Sequence, residues 1–291
     1  MYKIKRHLVP ILERRFKNNI VLSVNGARQV GKSTLCEHLF PDVKRINFDN
    51  RMVRETVRND EALFLSHQGT PLYIDEAQKV DTIFEAIKDN IDTNHLGYGS
   101  YILSGSQILR LHQGEETLAG RISVNELSGL SLREIYDVDF NRHFIPTESY
   151  LNEREKCLKG YGDIWEKIHR GQYPELYENP DKEWDDFYAS YVDTYLEKDV
   201  FELIKTQNSM AFTKFLTALA ARTGNVINYS SLASEVGVDE KTILSWTGIL
   251  VRSGIVYLLK PYSSSALNRA IKSPKLYFRD TGLVCYLTRW L

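Results

Sequence analysis

Residues 26 to 33 read Gly26-Ala27-Arg28-Gln29-Val30-Gly31-Lys32-Ser33, a G-x-x-x-x-G-K-[ST] run set between a β-rich stretch, IVLSVN (20 to 25), and a helical pattern from Thr34 to Phe40. Few folds accommodate such a run. Its glycines let backbone N–H groups turn inward as an anion nest at the positive end of a helix, so a strand must deliver the loop and a helix must leave it. Lys32 is spaced to reach the β and γ phosphates of a nucleotide, and the Ser33 hydroxyl to bind Mg²⁺. Gly26 through Ser33 together with Thr34 are therefore the expected nucleotide-binding residues.

Four more β-rich runs follow: VKRINF (43 to 48), LYID (72 to 75), SYILS (100 to 104) and RISVNEL (121 to 127). Between the third and fourth of the five runs, Val80, Ile83, Phe84, Ile87 and Ile91 recur at helical spacing. Strands alternating with amphipathic helices predict a parallel sheet with crossover helices, an α/β core of the P-loop type. The buried run Leu72-Tyr73-Ile74 ends in Asp75-Glu76, which brings two carboxylates to the phosphate edge. Asp75 is expected to hold Mg²⁺ and Glu76 to orient and polarise the water that attacks the γ-phosphate. A water-activating Glu is not needed by small-molecule kinases, and no N-K-x-D guanine-reading motif occurs, so ATP hydrolysis is the expected chemistry.

Two weaker signals follow the fourth run. Leu103-Ser104-Gly105-Ser106 offers hydroxyls at Ser104 and Ser106 for sensing the γ-phosphate, although Ser and Gly also end strands as ordinary turn residues. Arg121, in Leu118-Ala119-Gly120-Arg121, stands where it could reach a neighbouring subunit's nucleotide as a trans finger, with a surface or salt-bridged arginine as the alternative. The finger would require a homo-oligomer.

Composition narrows the setting. Lys+Arg 37 against Asp+Glu 38 gives a net charge of -1, which advertises neither nucleic acid nor an anionic surface globally. The charges are segregated: the first twenty residues are basic, residues 134 to 200 hold seventeen acids against eight bases, and residues 252 to 291 hold seven bases against Asp280 alone. Internal docking or solvated faces account for this segregation better than a partner site does. Cys36, Cys157 and Cys285 are odd in number and form no CxxC pair, which argues against a zinc knuckle or disulfide framework. No apolar run approaches the ~20 residues needed to span a bilayer, and Lys3, Lys5, Arg6 and His7 interrupt any leader-like core. A cytoplasmic protein with no membrane partner is expected.

Past residue 150 strand alternation gives way to helical patterns rich in Tyr and Trp, which sets a boundary near 145. Residues 211 to 222 predict one apolar helix; 230 to 235 and 239 to 252 predict two more, joined by Val236-Gly237-Val238 and followed by the β-rich GIVYLLKPY (254 to 262). That order is the order of a winged helix-turn-helix. The expected organisation is an ATPase domain at 1–145, a helical linker or lid at 146–205, a winged-helix domain at 206–262 and a basic tail at 263–291. Residues 206 to 251 balance Lys214, Arg222 and Lys241 against Glu235, Asp239 and Glu240, so the element lacks a basic stripe. Asp239 reads better as a helix N-cap than as a DNA contact. Weak or no sequence-specific DNA binding is expected, with a protein-docking role preferred and phosphate contact left to Lys260, Arg269, Lys272 and Lys275.

The blocks GARQVGKST, YIDEAQKV, YILSGSQ, LAGRI and SLREI, followed by GQYPEL, YLEKDV, ARTGNVIN and PKLYFRDTGL, resemble a large family of prokaryotic AAA-type ATPases along essentially the whole chain. The resemblance implies a P-loop core using Lys32, Ser33, Asp75 and Glu76, a winged-helix element and a region of unknown function. It also implies a further nuclease-like domain beyond the DTGL block, whereas this sequence stops at Leu291, as in a shortened member or one whose last domain is lost. The expected function is Mg²⁺-dependent ATP hydrolysis coupling nucleotide state to movement between the core and the winged-helix region. A nucleotide-gated DNA-binding regulator with slow hydrolysis and a catalytically decayed fragment are the alternatives.

Overall fold

The computed structural model describes residues 4–105, 116–140, 142–157, 162–196, 209–262 and 273–290. The chain divides into two compact units, Met1–Gly160 and Tyr161–Leu291.

The first unit opens with α1 (Val9–Phe16) and builds five parallel strands, β1 (Val21–Asn25), β2 (Lys44–Asn47), β3 (Leu72–Asp75), β4 (Tyr101–Gly105) and β5 (Ile122–Glu126). Their order in the sheet is β2-β3-β4-β1-β5. From β1 the chain crosses through α2 (Lys32–Leu39) to the far edge, returns strand by strand, and then passes β1 to its other side. The carboxyl end of β1 is thus the switch point at which a parallel sheet opens a crevice for a ligand. The central strands β1, β3 and β4 are buried along their lengths, as expected of runs covered by helices on both faces. Phe48, Val57 of α3 (Arg51–Asn59), Leu65 of α4 (Glu61–Gln68) and Ile83, Phe84, Ile87 and Ile91 of α5 (Ile83–Asn94) fill one face. Val80, expected inside that last helix, lies just before it: the chain makes a 3₁₀ turn at Ala77–Lys79, and Val80 reaches the core from an extended backbone.

Both outer strands carry their own protection. β2 bears Lys44 and Arg45, and the outward-facing Val124 carbonyl of β5 accepts a hydrogen bond from Arg15 Nη1 at 3.2 Å. The unit also runs past the boundary expected near 145. After α6 (Leu132–Ile135), α7 (Glu148–Lys156) stays with it because Tyr150 meets Phe140 and Phe144 edge-on, each at 5.4 Å, and the Arg154 guanidinium lies 5.2 Å from the Phe140 ring.

The second unit begins with α8 (Ile164–Arg170), α9 (Pro174–Glu178) and α10 (Trp184–Tyr191), which continues as a π turn over Val192–Leu196. Then come α11 (Ser209–Ala220), α12 (Tyr229–Val236) and α13 (Glu240–Arg252), whose Phe212, Phe215 and Trp246 rings meet at 5.3 to 5.8 Å. Asn228 and Asp239 cap the last two helices at their N-termini, and Gly237, at φ +85°, ends the first of them. Helix α11 stops two residues short of the expected 222, because the chain turns so that Gly224 N–H can bond the Leu276 carbonyl at 2.6 Å. Strand β6 (Val256–Leu259) pairs antiparallel with β7 (Lys275–Phe278). The described part of 263–291, expected as a tail, is therefore the second strand of this sheet and α14 (Thr281–Leu287), and belongs to the unit.

A knot of polar groups holds this unit at its closing helix. The buried Asp280 carboxylate accepts Tyr188 OH at 2.7 Å, Leu283 N–H at 2.6 Å and Gln172 N–H at 2.6 Å. Gly171 and Gly282 make room: a Cβ on either would stand 2.0 or 2.2 Å from the Tyr188 hydroxyl. The GQYPEL and DTGL blocks thus meet over one tyrosine. Burial pushes the Asp280 carboxyl above its ordinary value in spite of its donors.

Candidate functional site

Asn25 hands the chain to the glycine loop at the carboxyl edge of the sheet. Gly26 sits at φ +155°, and a Cβ there would stand 2.1 Å from the Leu127 carbonyl oxygen, so only glycine lets the loop pass the segment that follows β5. Gln29 (φ +62°) and Gly31 (φ +90°) are left-handed, the alternation that curls successive N–H groups into a nest. Helix α2 starts at Lys32, and no side chain caps its first turn. It ends at Leu39 rather than Phe40, since Pro41 disfavours a helical residue before it. Ala27, Val30 and Lys32 are buried, Arg28, Gly31 and Ser33 half-buried, and Gln29 and Thr34 exposed.

Lys32 is 5% exposed, and its Nζ donates to the Ala27 carbonyl at 2.8 Å. Burial lowers its pKa, against the opposing fields of Glu76 and Asp75. Asp75, at the end of β3, is also buried. Its Oδ1 accepts from the Ser104 hydroxyl, its Oδ2 from Arg45 Nη2 at 2.6 Å, and Ser33 donates to it as well. Burial pushes this carboxyl up, but the Ser104, Arg45 and Ser33 contacts outweigh it and hold the group below the ordinary carboxylate range. Tyr73 OH completes the chain with a 2.8 Å hydrogen bond to Ser104 Oγ. Cys36, on the same stretch of α2, is sealed in and its thiol pushed up to about 12 by burial, as an inert core residue would be.

Glu76 follows directly in the left-handed region at φ +55°, a conformation that costs a non-glycine residue about 1 kcal/mol or more. That turn separates it from Asp75, and its Oε2 accepts from Gln78 Nε2 at 2.5 Å. Lys32, Ser33, Asp75 and Ser104 therefore share one hydrogen-bonded and electrostatic neighbourhood, with Glu76 beside it. Ser104 stands behind Asp75 as its hydroxyl partner; Ser106 lies outside the described residues. Arg121 is at the other end of the sheet, with its carbonyl bonded to Val21 N–H. Four strand residues, roughly 13 Å, separate that point from Asn25, which excludes contact with its own loop from this position. Its guanidinium grips Asp92 of α5 through bonds of 2.7 to 3.0 Å.

Three contributors escape sequence reasoning. Arg45 reaches Asp75, and Tyr73 reaches its partner Ser104, from within strands, where periodicity records only that a residue alternates. Arg6 reaches the loop from the basic entry segment, and its partner Glu134 has only a local signal, the Ser131 to Glu134 capping box. Among the described residues no group of three or more His, Cys, Asp and Glu is arranged to hold a metal ion. An ionised, buried Asp75 in contact with the Ser33 hydroxyl is instead a pair of hard oxygen donors, which suits Mg²⁺, an ion that keeps water and phosphate oxygens as its remaining ligands. A cavity of about 680 Å³ lies beside the loop helix, lined in part by Arg6, His7, His38, Leu39 and Asp137. No helix among the described residues is long and apolar enough to cross a membrane.

Residues 18–136 match the AAA domain, and residues 161–291 match a domain of unknown function, DUF8612. Two curated relatives, the uncharacterized proteins Rv2008c of Mycobacterium tuberculosis and Mb2031c of Mycobacterium bovis, are each 26% identical over 281 residues, 96% of this chain. The match spans 58% of the length of those relatives. The Walker-type ATPase PABY2304 of Pyrococcus abyssi has a similar fold, with a TM-score of 0.60 at 14% identity, covering 98% of this chain and 96% of that one. The chain thus carries an AAA domain match over residues 18–136 and shares its fold with a Walker-type ATPase.

Proposed function

We propose that this AAA-type P-loop chain hydrolyses ATP with Mg²⁺. The observation that carries the reading is the convergence of Lys32, Ser33 and an ionised Asp75 on the loop that leaves β1. Gly26 to Thr34 wrap the phosphates with backbone N–H groups, and Lys32 exchanges the Ala27 carbonyl for β and γ oxygens. Ser33 and Asp75 hold the metal, which supplies charge neutralisation on the phosphates when bound. Ser104 keeps Asp75 oriented, and Ser104 or Ser106 senses the γ-phosphate. Glu76 takes the proton side of the attacking water. The nucleoside has room in the 680 Å³ cavity, which shares Arg6 with the loop.

Arg121 acts in trans on this reading, in a homo-oligomer, by exchanging Asp92 for a neighbour's γ-phosphate. Helices α11 to α13 with the β6–β7 pair form a winged helix, which nucleotide state moves relative to the core. Its charges favour a protein partner over DNA: Asp239 is occupied as a cap on Thr242 N–H at 2.8 Å, and Arg222 pairs with Glu235. An intact set of site residues favours a working enzyme over a decayed one.

Nucleotide binding and ATP turnover, measured on two variants, separate the roles. Lys32→Ala should lose binding by a hundredfold or more, whereas Glu76→Gln should bind normally and turn over at least a hundredfold more slowly. Wild-type turnover by Glu76→Gln would remove Glu76 from the chemistry. Arg121→Ala should lower turnover with affinity intact, and a fully active monomer at high dilution would return Arg121 to a structural role.

A further inference from the structure

Arg6 precedes α1 in the sequence, yet its side chain is buried against the glycine loop, 6% exposed. One guanidinium joins three segments. Nη1 donates to the Val30 carbonyl at 2.8 Å, Nη2 to the Ser128 carbonyl at 2.5 Å, and Nε to Glu134 Oε1 at 3.1 Å. Glu134 is fixed in turn: the same oxygen accepts His7 N–H at 2.8 Å, and its other oxygen accepts Ser131 N–H at 2.8 Å. A planar fork with five donors can satisfy such a divergent set; a lysine, a point charge on a flexible stem, cannot.

The contact with Val30 bears on the anion nest. In a planar trans peptide the C=O and the following N–H point to opposite sides. Holding the Val30 carbonyl toward Arg6 therefore aims the Gly31 N–H away from Arg6. That orientation is otherwise poorly determined, because the left-handed residues Gln29 and Gly31 flank Val30, and a peptide beside glycine turns over readily. We propose that Arg6 is a positioning residue for nucleotide binding, pinning the Val30–Gly31 peptide so that the loop is preorganised for phosphate. The N-terminal segment thereby becomes a working part of the site. This inference rests on reading Gly26 to Ser33 as the phosphate loop.

The test must remove the clamp without leaving a buried charge unpaired. Arg6→Met combined with Glu134→Gln discards both charges together and keeps one amide oxygen to accept from Ser131 or His7, a change that buried ion pairs often tolerate. ADP and ATP affinities by calorimetry, kcat and KM, and thermal melting would be compared for wild type, this double variant, Arg6→Lys and Lys32→Ala. The expected result is a double variant that melts cooperatively, binds ADP about tenfold more weakly, and loses more in KM than in kcat. Arg6→Lys should show the same loss in milder form. Wild-type affinity in a folded double variant overturns the proposal and leaves a purely structural ion pair. If the double variant does not fold, Arg6→Lys decides by the same criterion. Unchanged affinity in Lys32→Ala would instead strike the phosphate-loop reading itself, whatever the Arg6 variants do.

Discussion

The two units bury carboxylates in opposite ways. In the first, Glu134 lies against Arg6 and Asp75 against Arg45; burial opposes both charges, and the cations and hydrogen bonds prevail, so both stay below their ordinary values. In the second, among the described residues, a tyrosine hydroxyl and backbone N–H groups hold Asp280, and burial raises it. A buried ion pair is costly and is weak evidence for stability by itself. Its presence around the glycine loop, where an anion and a cation would be handled, and its absence from the Tyr188 knot, separate a site arranged for charge from a joint arranged for shape.

Neutralising each acid in turn should break this comparison if it is wrong. Glu134→Gln leaves the Arg6 cation buried without a counter-charge and should cost about 3 kcal/mol. Asp280→Asn removes a charge that the fold already disfavours, keeps an acceptor, and should cost only about 1 kcal/mol. Denaturant unfolding followed by far-UV circular dichroism and by fluorescence resolves the two, because Trp165, Trp184, Trp246 and Trp290 all lie in the second unit. Equal costs would erase the distinction.

Acid titration probes the same contrast with a smaller expected effect, about 1.4 kcal/mol for each tenfold difference in proton affinity between the folded and unfolded chain. For Glu134, lowered from 4.5, and Asp75, lowered from 3.8, the stabilisation is present above those values and lost as pH falls through the folded ones. For Asp280, raised from 3.8, the sign reverses: its contribution is full below that value and lost as pH rises through the folded one. Lowering the pH from about 7 to about 3.5 should therefore weaken the first unit while the tryptophan signal of the second resists longer. Earlier loss of that signal would contradict the assignment.

The smallest effect belongs to Arg121. Its pair with Asp92 is half-buried at the arginine and exposed at the carboxylate and should contribute within about 0.5 kcal/mol, so Arg121→Ala should melt almost as wild type. A larger drop would mean that the pair serves the fold of the first unit.

What the sequence disclosed was local. The five strands were legible because short β-rich runs alternate with helical patterns, and the loop and Asp75-Glu76 because their spacing along the chain is itself the signal. The hidden parts depend on residues far apart in sequence. Arg6 meets Glu134 across 128 positions, and Tyr188 meets Asp280 across 92. The first looked like one more charge in a basic segment and the second like a lone acid in a basic tail. Strand β7 was hidden for a related reason: Lys275–Phe278 lies in a segment read as a basic tail, and its partner β6 is distant in sequence.

The treatment of the sheet's two margins decides how copies of this chain could meet. An unguarded outer strand is a template that any extended peptide can extend, which is the usual route to aggregation. Here one margin presents Lys44 and Arg45, and on the other Arg15 already occupies the Val124 carbonyl that an added strand would need. Lengthening the sheet across molecules at that margin would break that bond. Copies of this chain should therefore not join by extending this sheet edge to edge.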